Sequence, residues 1–247
     1  MTLTRPYDHV DAILIDGKKY LYLNNDNPIL AYQPSVNNDL KFVAQPLLDK
    51  HDDNVVVVPL MMTETWEIIN NKHIDFDSIR HNNKIYDFHF IGQTHYANRH
   101  LLAQLNLAKY DFKSIPENGS MWAWEHDQKV NHVKKYLNRI SQSKFVFCPR
   151  GIGSSSFRLY EAMSVGSVPI AIDMVAYPFE TQCNWDNMCF RGNWNDLDDM
   201  ISQASNLDSN TYQFMKQNCI KFWDQYCRHD LLYKRLASMV RERNLKP

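Results

Sequence analysis

Glycine is scarce, with seven in 247 residues. Positive charge is not in excess either: 27 lysines and arginines face 28 aspartates and glutamates, for a formal net charge of -1. That balance excludes the clustered basic field on which sequence-independent nucleic-acid binding depends. No stretch reaches the roughly 18 to 20 apolar residues that would span a bilayer. The opening residues, MTLTRPYDHVDAILIDG, carry charges and a proline where a signal peptide needs an apolar centre. The five cysteines, at 148, 183, 189, 219 and 227, form no CxxC pair and are odd in number. They read as reduced, packed thiols rather than a disulfide framework or a zinc site. The expectation is a soluble, cytoplasmic protein with no membrane segment, for which a secretory location would require a removed anchor.

Familiar phosphate and hydrolase signatures are missing as well. GxxxxGK[ST] does not occur, which removes a Walker-type P-loop, and the absence of GxSxG removes the simplest hydrolase. Gly151-Ile-Gly153-Ser-Ser-Ser156 starts like GxGxxG but lacks the third glycine.

What is present is the composition of a folded protein, 44% hydrophobic and 22% charged, long enough for one large domain or two lobes. The first eighty residues contain strand-like runs at 12–15, 20–23 and 54–60. The last holds four consecutive valines, as in a strand buried on both faces. Residues 73–83 are polar and aperiodic and read as a linker. Strand and helix then alternate: a strand over 85–91, a helix over 97–108, and an amphipathic helix carrying Val130, Val133, Leu137 and Ile140. A strand over 145–148, a helix over 156–165, a strand over 168–172, a short strand at 188–190 and a helix from about 195 follow. Residues 211–240 read as two helices broken near His229. Such alternation implies a parallel sheet covered by helices. The division expected is a small α/β lobe over 1–80, a second α/β lobe over 84–205 and a helical tail over 206–247.

Three of the seven glycines fall in KFVFCPRGIGSSSFRLYEAMSVGSVPIAID, residues 144–173. The segment CPRGIGSSS ends a strand and enters a helix, where free backbone N–H groups and the helix dipole favour an anion. Gly151 and Gly153 allow close backbone approach, while Ser154, Ser155 and Ser156 are placed to cap the helix or donate to phosphate oxygens. Arg150 and Arg158 lie at the positive end of the dipole, where a cation is disfavoured by about 0.3 to 1 kcal/mol without an anion. Glu161 shares a helix face with Arg158. Two readings of it stand: a surface ion pair, or a carboxylate accepting hydrogen bonds from ribose hydroxyls.

The run SKFVFCPRGIGSSSFRLYEAMSVGSVPIAIDMVAYPFE resembles the exostosin family of GT-B glycosyltransferases. It follows the pattern SxFCLxPxGxxxxSxRLxEAxxxGCxPVxxxDxxxxPF through Ser143, Phe145, Cys148, Pro149, Gly151, Ser156, Arg158, Glu161, Gly166, Pro169, Asp173 and Phe179. Upstream, FIGQTHYANR resembles the first strand and turn of the same lobe through Phe90, Gly92 and Arg99, and Gly92, Gln93 and Arg99 are expected on the donor. The sequence departs from the pattern at Ser167, where cysteine is usual, and at Asn184, where aspartate is common.

The resemblance implies a GT-B-like fold of two Rossmann-like lobes with parallel sheets, and inverting transfer of a sugar from a nucleotide-sugar, commonly a UDP-sugar, to an oligosaccharide or glycoprotein glycan. It places Arg150, Arg158, the loop serines and Glu161 on the donor. Such a transfer needs a base for the acceptor hydroxyl, and Glu64, past the valine strand, is the candidate. His95 and Asp173 are candidate sugar or acceptor contacts. No metal or cofactor is expected: Asp75-Phe-Asp77 looks like a metal-binding DxD motif but lacks its flanking apolar strand. Trp122 and Trp124 are read as packing residues rather than sugar platforms. Two other functions fit the same loop, a non-catalytic sugar-nucleotide or glycan-binding module and a nucleotide-dependent enzyme of other chemistry such as a dehydrogenase.

Overall fold

Two sheets divide the chain. The structure, a computed structural model, describes residues 55–59, 74–115, 125–151 and 155–244, together with backbone strands at 3–7, 10–15, 18–23 and 41–43. Glu64, Gly153, Ser154, Trp122 and Trp124 lie outside the described residues.

The first sheet holds β1 (Leu3–Tyr7), β2 (Val10–Ile15), β3 (Lys18–Leu23), β4 (Lys41–Val43) and β5 (Val55–Val57), in the order β1-β2-β3-β4-β5. The parallel lobe expected here is instead mixed: β1, β2 and β3 pair antiparallel, and β3-β4 and β4-β5 pair parallel. The chain between Tyr7 and Val10, and between Ile15 and Lys18, is too short for a crossover, so only antiparallel pairing is possible there. The valine strand is also not central. It is the terminal strand in this order, and Val58, just beyond it, is fully buried in the core of the second unit.

The polar stretch read as a linker is a docked helix. Within it α1 (Phe76–Arg80) starts at Asp75, whose carboxylate accepts from the Ser78 N–H at 3.2 Å. Arg80 is 8% exposed; its Nε donates to the Ser164 carbonyl at 2.8 Å and its Nη2 to Asp224 at 2.8 Å. Phe76 stacks on Trp223 at 6.4 Å. Of the DxD-like pair, Asp75 is therefore a helix cap and Asp77 an ion-pair partner of Arg80 at 3.4 Å.

The second sheet is the α/β unit the alternation implied. It holds β6 (Tyr86–Gly92), β7 (Tyr110–Ser114), β8 (Ser143–Pro149), β9 (Val168–Ile172) and β10 (Phe190–Gly192) in the order β10-β9-β8-β6-β7, all parallel. Strand β7 has no counterpart in the sequence reading, since YDFKS is short and half polar. Strand β10 sits two positions later than expected. Around the sheet lie α2 (His100–Ala103), α3 (His126–Ile140), α4 (Phe157–Ser164), α5 (Leu197–Ser205), α6 (Ser209–Phe222) and α7 (His229–Asn244). The helix expected over 97–108 shrinks to α2 because Ala97 and Asn98 adopt φ of 49° and 60°, outside the helical region. At its other end α4 stops at Gly166, whose φ of 68° suits glycine.

The hydrophobic face of α3 is buried as its period demands, with Val130 at 7%, Val133 at 2%, and Leu137 and Ile140 at 0% exposure. Phe88 packs between Phe145 and Phe147 at ring distances of 5.5 and 5.7 Å. Met215, Cys219 and Phe222 of α6 and Leu232 and Leu236 of α7 join the same core. Each fully buried large apolar side chain contributes about 1.5 to 3 kcal/mol. The break between α6 and α7 is a π-helical turn, Trp223–Cys227, ended by extended Arg228.

This strand order positions the site. From β6 the chain goes to β7 on one side, then returns across to β8 on the other. The direction therefore reverses between β6 and β8, and in open parallel sheets ligands bind in the crevice beyond the C-terminal ends of such strands.

Candidate active site

At the switch point β6 ends in Gly92 and β8 in Pro149. Arg158, in the first turn of α4, reaches across to the end of β6. Its Nη2 donates to the Ile91 carbonyl at 2.7 Å, its Nε to the Tyr136 hydroxyl of α3 at 2.9 Å, and its guanidinium lies 4.7 Å from the Phe90 ring centre. Gly92 makes this approach possible: an added Cβ would stand 2.8 Å from Arg158 Nη2 and 3.2 Å from Phe90 Cζ. Arg158 thus has intrachain partners, which answers part of the puzzle of a cation at a helix N-terminus. Glu161 is 6% exposed, and its negative charge acts on Arg158. A solvated surface pair is therefore ruled out for Glu161; it is a buried carboxylate acting on a half-buried guanidinium.

Arg99 holds the opposite loop. Its Nη2 donates to the carbonyls of Arg150 at 2.7 Å and Pro149 at 3.4 Å, pinning the β8 exit from the β6 side. Its Nε is buried without a hydrogen-bond partner. Burial, with the like charge of Arg158, pushes the Arg99 pKa down to about 10. Two guanidinium groups that repel each other across a crevice are relieved by an anion between them.

The loop after β8 is held by its backbone. The Arg150 N–H donates to the Ile172 carbonyl at 3.0 Å and the Gly151 N–H to the Ser155 carbonyl at 2.9 Å. Ser155 and Ser156 are buried at 3% and 6% exposure, and Ser156 stands at the N-cap of α4 in extended conformation without a side-chain capping bond. The Arg150 guanidinium has no partner among the described residues. Gln93 is half-buried and His95 exposed in the loop after β6, which is tied to β7 by the Thr94 and Ser114 hydroxyls at 2.8 Å. Asp173 follows β9 with φ of 57°, its N–H donating to the Gly192 carbonyl at 2.9 Å.

The profile of the RXYLT1 C-terminal domain family matches residues 69–245. The chain belongs to that family. The match takes in α1, all of the parallel sheet and the helical tail, and leaves out the first sheet. Relatives include the human ribitol-5-phosphate xylosyltransferase 1, 30% identical over 104 residues, which are 40% of this chain and 22% of that protein. The mouse protein of the same name is 28% identical over 96 residues, 38% of this chain and 21% of it, and the Danio rerio one is 30% identical over 89 residues, 35% and 20%. The chain thus spans about a fifth of the length of the curated relatives it matches. Among solved structures a glycosyltransferase from Rickettsia africae ESF-5 is loosely similar, with a TM-score of 0.41 and 12% identity over 91% of this chain and 69% of that one. The family named by the match is not the exostosin family.

One buried cluster in this family domain carries no signal in the sequence. His89, 0% exposed in mid-β6, lies 2.8 Å from an Asp111 carboxylate oxygen of β7, and Arg139 of α3 donates to the same carboxylate through Nε at 2.7 Å and through Nη2. Burial pushes the His89 pKa down, which favours the neutral ring; its Nδ1 pairs with Asp111, and its Nε2 has no partner among the described residues. Although burial opposes it, the bonds from His89 and Arg139 hold Asp111 well below the usual carboxylate range. The His89 ring lies 6.0 Å from that of Tyr136, the residue that carries Arg158. The cluster locks β6, β7 and α3 together beneath the crevice. Three residues remote in sequence meet only because β7 pairs with β6, so no spacing could have announced them.

Proposed function

We propose that this chain is a glycosyltransferase that moves a pentose, xylose, from a nucleoside-diphosphate sugar to a glycan acceptor carrying ribitol phosphate. The observation that carries the reading is the set of three arginines, 99, 150 and 158, at the sheet's switch point, with the Arg150 guanidinium unpaired among the described residues, in a member of the RXYLT1 C-terminal domain family. The names of the relatives supply the sugar and the acceptor.

The diphosphate lies against Arg150, Arg158 and the loop that includes Ser154, Ser155 and Ser156, with Gly92, Gln93 and Arg99 closing the β6 side and Glu161 facing the ribose. As the sugar departs, guanidinium groups and backbone N–H groups stabilise the charge developing on the nucleoside diphosphate without a metal ion. The acceptor enters from the side of residues 1–80, where Glu64 takes its hydroxyl proton and the sugar inverts. The donor unit is residues 84–205, covered by the tail over 206–247. In this reading the donor is a UDP-sugar.

The test is a thermal-shift and turnover screen of the full chain with UDP, UDP-xylose, UDP-glucose, GDP and NAD, with and without EDTA. UDP-xylose is expected to raise Tm in EDTA and to yield free UDP in the presence of a ribitol-phosphate acceptor. A shift with NAD alone would point to a dehydrogenase. Nucleotide binding without UDP release from any donor would point to a non-catalytic module.

A further inference from the structure

Beyond Arg150 the crevice widens into a cleft of about 800 Å³ over the C-terminal ends of β9 and β10, lined by Arg150, Asp173, Tyr177, Asp186, Arg191 and Asn193 among others. Its two halves differ in charge. Arg150, on the switch-point side, is a cation without a partner among the described residues. On the far side Arg191 is already committed: it donates to Asp186 at 2.7 and 3.0 Å and to Glu180 at 2.8 Å, and its flat face rests 4.9 Å from the Tyr177 ring centre.

Asp173 sits between these halves in sequence and topology, one residue past β9. Among the described residues its carboxylate has no partner, and it does not pair with Arg150, although both line the same cleft. Its left-handed backbone is held by the bond to the Gly192 carbonyl, so the open carboxylate is carried on a fixed support. Asn193 spends its side-chain oxygen on the Asn195 N–H at 2.8 Å, which leaves its amide N–H groups to donate. Asp186 is already answered by Arg191, so the open acceptor is Asp173, which repels a phosphate and would be stranded by an apolar group. A hydroxyl group satisfies it, because an O–H can donate to a carboxylate and accept from an amide.

We infer that the cleft over β9 and β10 is a polyol subsite, in which Asp173 and Asn193 select the hydroxyl pattern of a sugar or alditol whose attached phosphate lies toward Arg150. The inference rests on the function proposed above. Two sources share this chemistry, the donor's sugar and the acceptor's alditol phosphate.

Asp173→Asn and Asp173→Gly both tolerate the positive φ and remove the negative charge, so folding is preserved in at least one of them. Calorimetry on the full chain would give Kd for UDP and UDP-xylose, and turnover would give KM for a ribitol-phosphate acceptor. Both variants are expected to keep the UDP Kd within about twofold and to weaken one polyol ligand roughly tenfold or more, as loss of a charged hydrogen bond does. A rise confined to UDP-xylose assigns the subsite to the donor sugar; a rise confined to the acceptor KM assigns it to the alditol. Unchanged values for both, or an equal loss for bare UDP, would overturn the inference while leaving the proposed function intact. A wild-type chain that binds no nucleotide would sink both.

Discussion

Charged groups line both ends of the parallel sheet, and the two ends treat them differently. At the N-terminal ends of the strands Lys84 and Arg80 are answered: Lys84 donates to the Ser141 carbonyl at 2.7 Å and the Ser167 hydroxyl at 3.1 Å, while Arg80 is shared between Ser164 and Asp224. At the C-terminal ends Arg150 and Asp173 have no partner among the described residues, and Arg99 keeps one buried N–H unpaired among them. A buried polar group left unsatisfied costs about 1 to 3 kcal/mol, and more when charged. Among the described residues the unfinished group at the N-terminal end is the neutral Ser143 hydroxyl, whereas those at the C-terminal end are charged, Arg99 Nε among them, and a charged ligand completes them there. The contrast also explains a departure from the family-like pattern. Ser167, in place of the usual cysteine, has a hydroxyl 2.8 Å from the Ile140 and Ser143 carbonyls and within reach of Lys84, a role a thiol would fill poorly.

The largest effect expected is at the open end. Arg158→Ala removes the link between α4, α3 and β6 and should weaken nucleotide binding by roughly 100-fold or more, as loss of a charged phosphate contact and of its support does. Near-unchanged UDP affinity by calorimetry, in a variant folded by circular dichroism, would break the contrast outright.

Lys84→Met tests the finished end. Burial, with Lys216 adding like charge, pushes the Lys84 pKa down to about 7 from 10.5. Between those values the unfolded chain binds more protons than the folded one, so this group's contribution to stability rises with pH from about 7 towards 10. Below about 7 the lysine is charged in both states and the cost of burying it is fully present. Tm measured from pH 6 to 10 should therefore climb less steeply in Lys84→Met than in the wild type, with UDP affinity unchanged. A loss of UDP affinity would show that the two ends are coupled rather than separate in role.

The smallest effect sharpens the comparison. Tyr136→Phe deletes the hydroxyl that accepts from Arg158 Nε and should raise the UDP Kd roughly five- to tenfold, consistent with one hydrogen bond to a charged group. The expected change in stability is about 1 kcal/mol. An effect on stability without one on Kd would reduce Tyr136 to a packing residue.

Much of the second unit was legible in advance because its signals are local. The helix face of Val130, Val133, Leu137 and Ile140, the strand over 168–172 and the break near His229 depend on period and punctuation. Where the reading failed, a tertiary contact had overruled the local cue. Residues 76–80 are polar enough for a linker, yet form a helix because Arg80 finds Ser164 and Asp224. The helix over 97–108 was cut short by backbone twists at Ala97 and Asn98, which no composition forbade. The first sheet looked like a parallel lobe from its strand-like runs, but its short connections make hairpins.

By itself the sequence determined that an anion-seeking loop stands between a strand and a helix, since glycines, serines and arginines adjacent in the chain remain adjacent in space. Only the tertiary structure decided how those charges are completed. It buried Glu161 beside Arg158, set Arg99 against Arg158 across a crevice, and left Arg150 and Asp173 open in one cleft. The physical reason is the strand order: whether a charge meets a partner, a rival or an empty space depends on which strand ends are neighbours, and that follows from pairing between segments far apart in the chain.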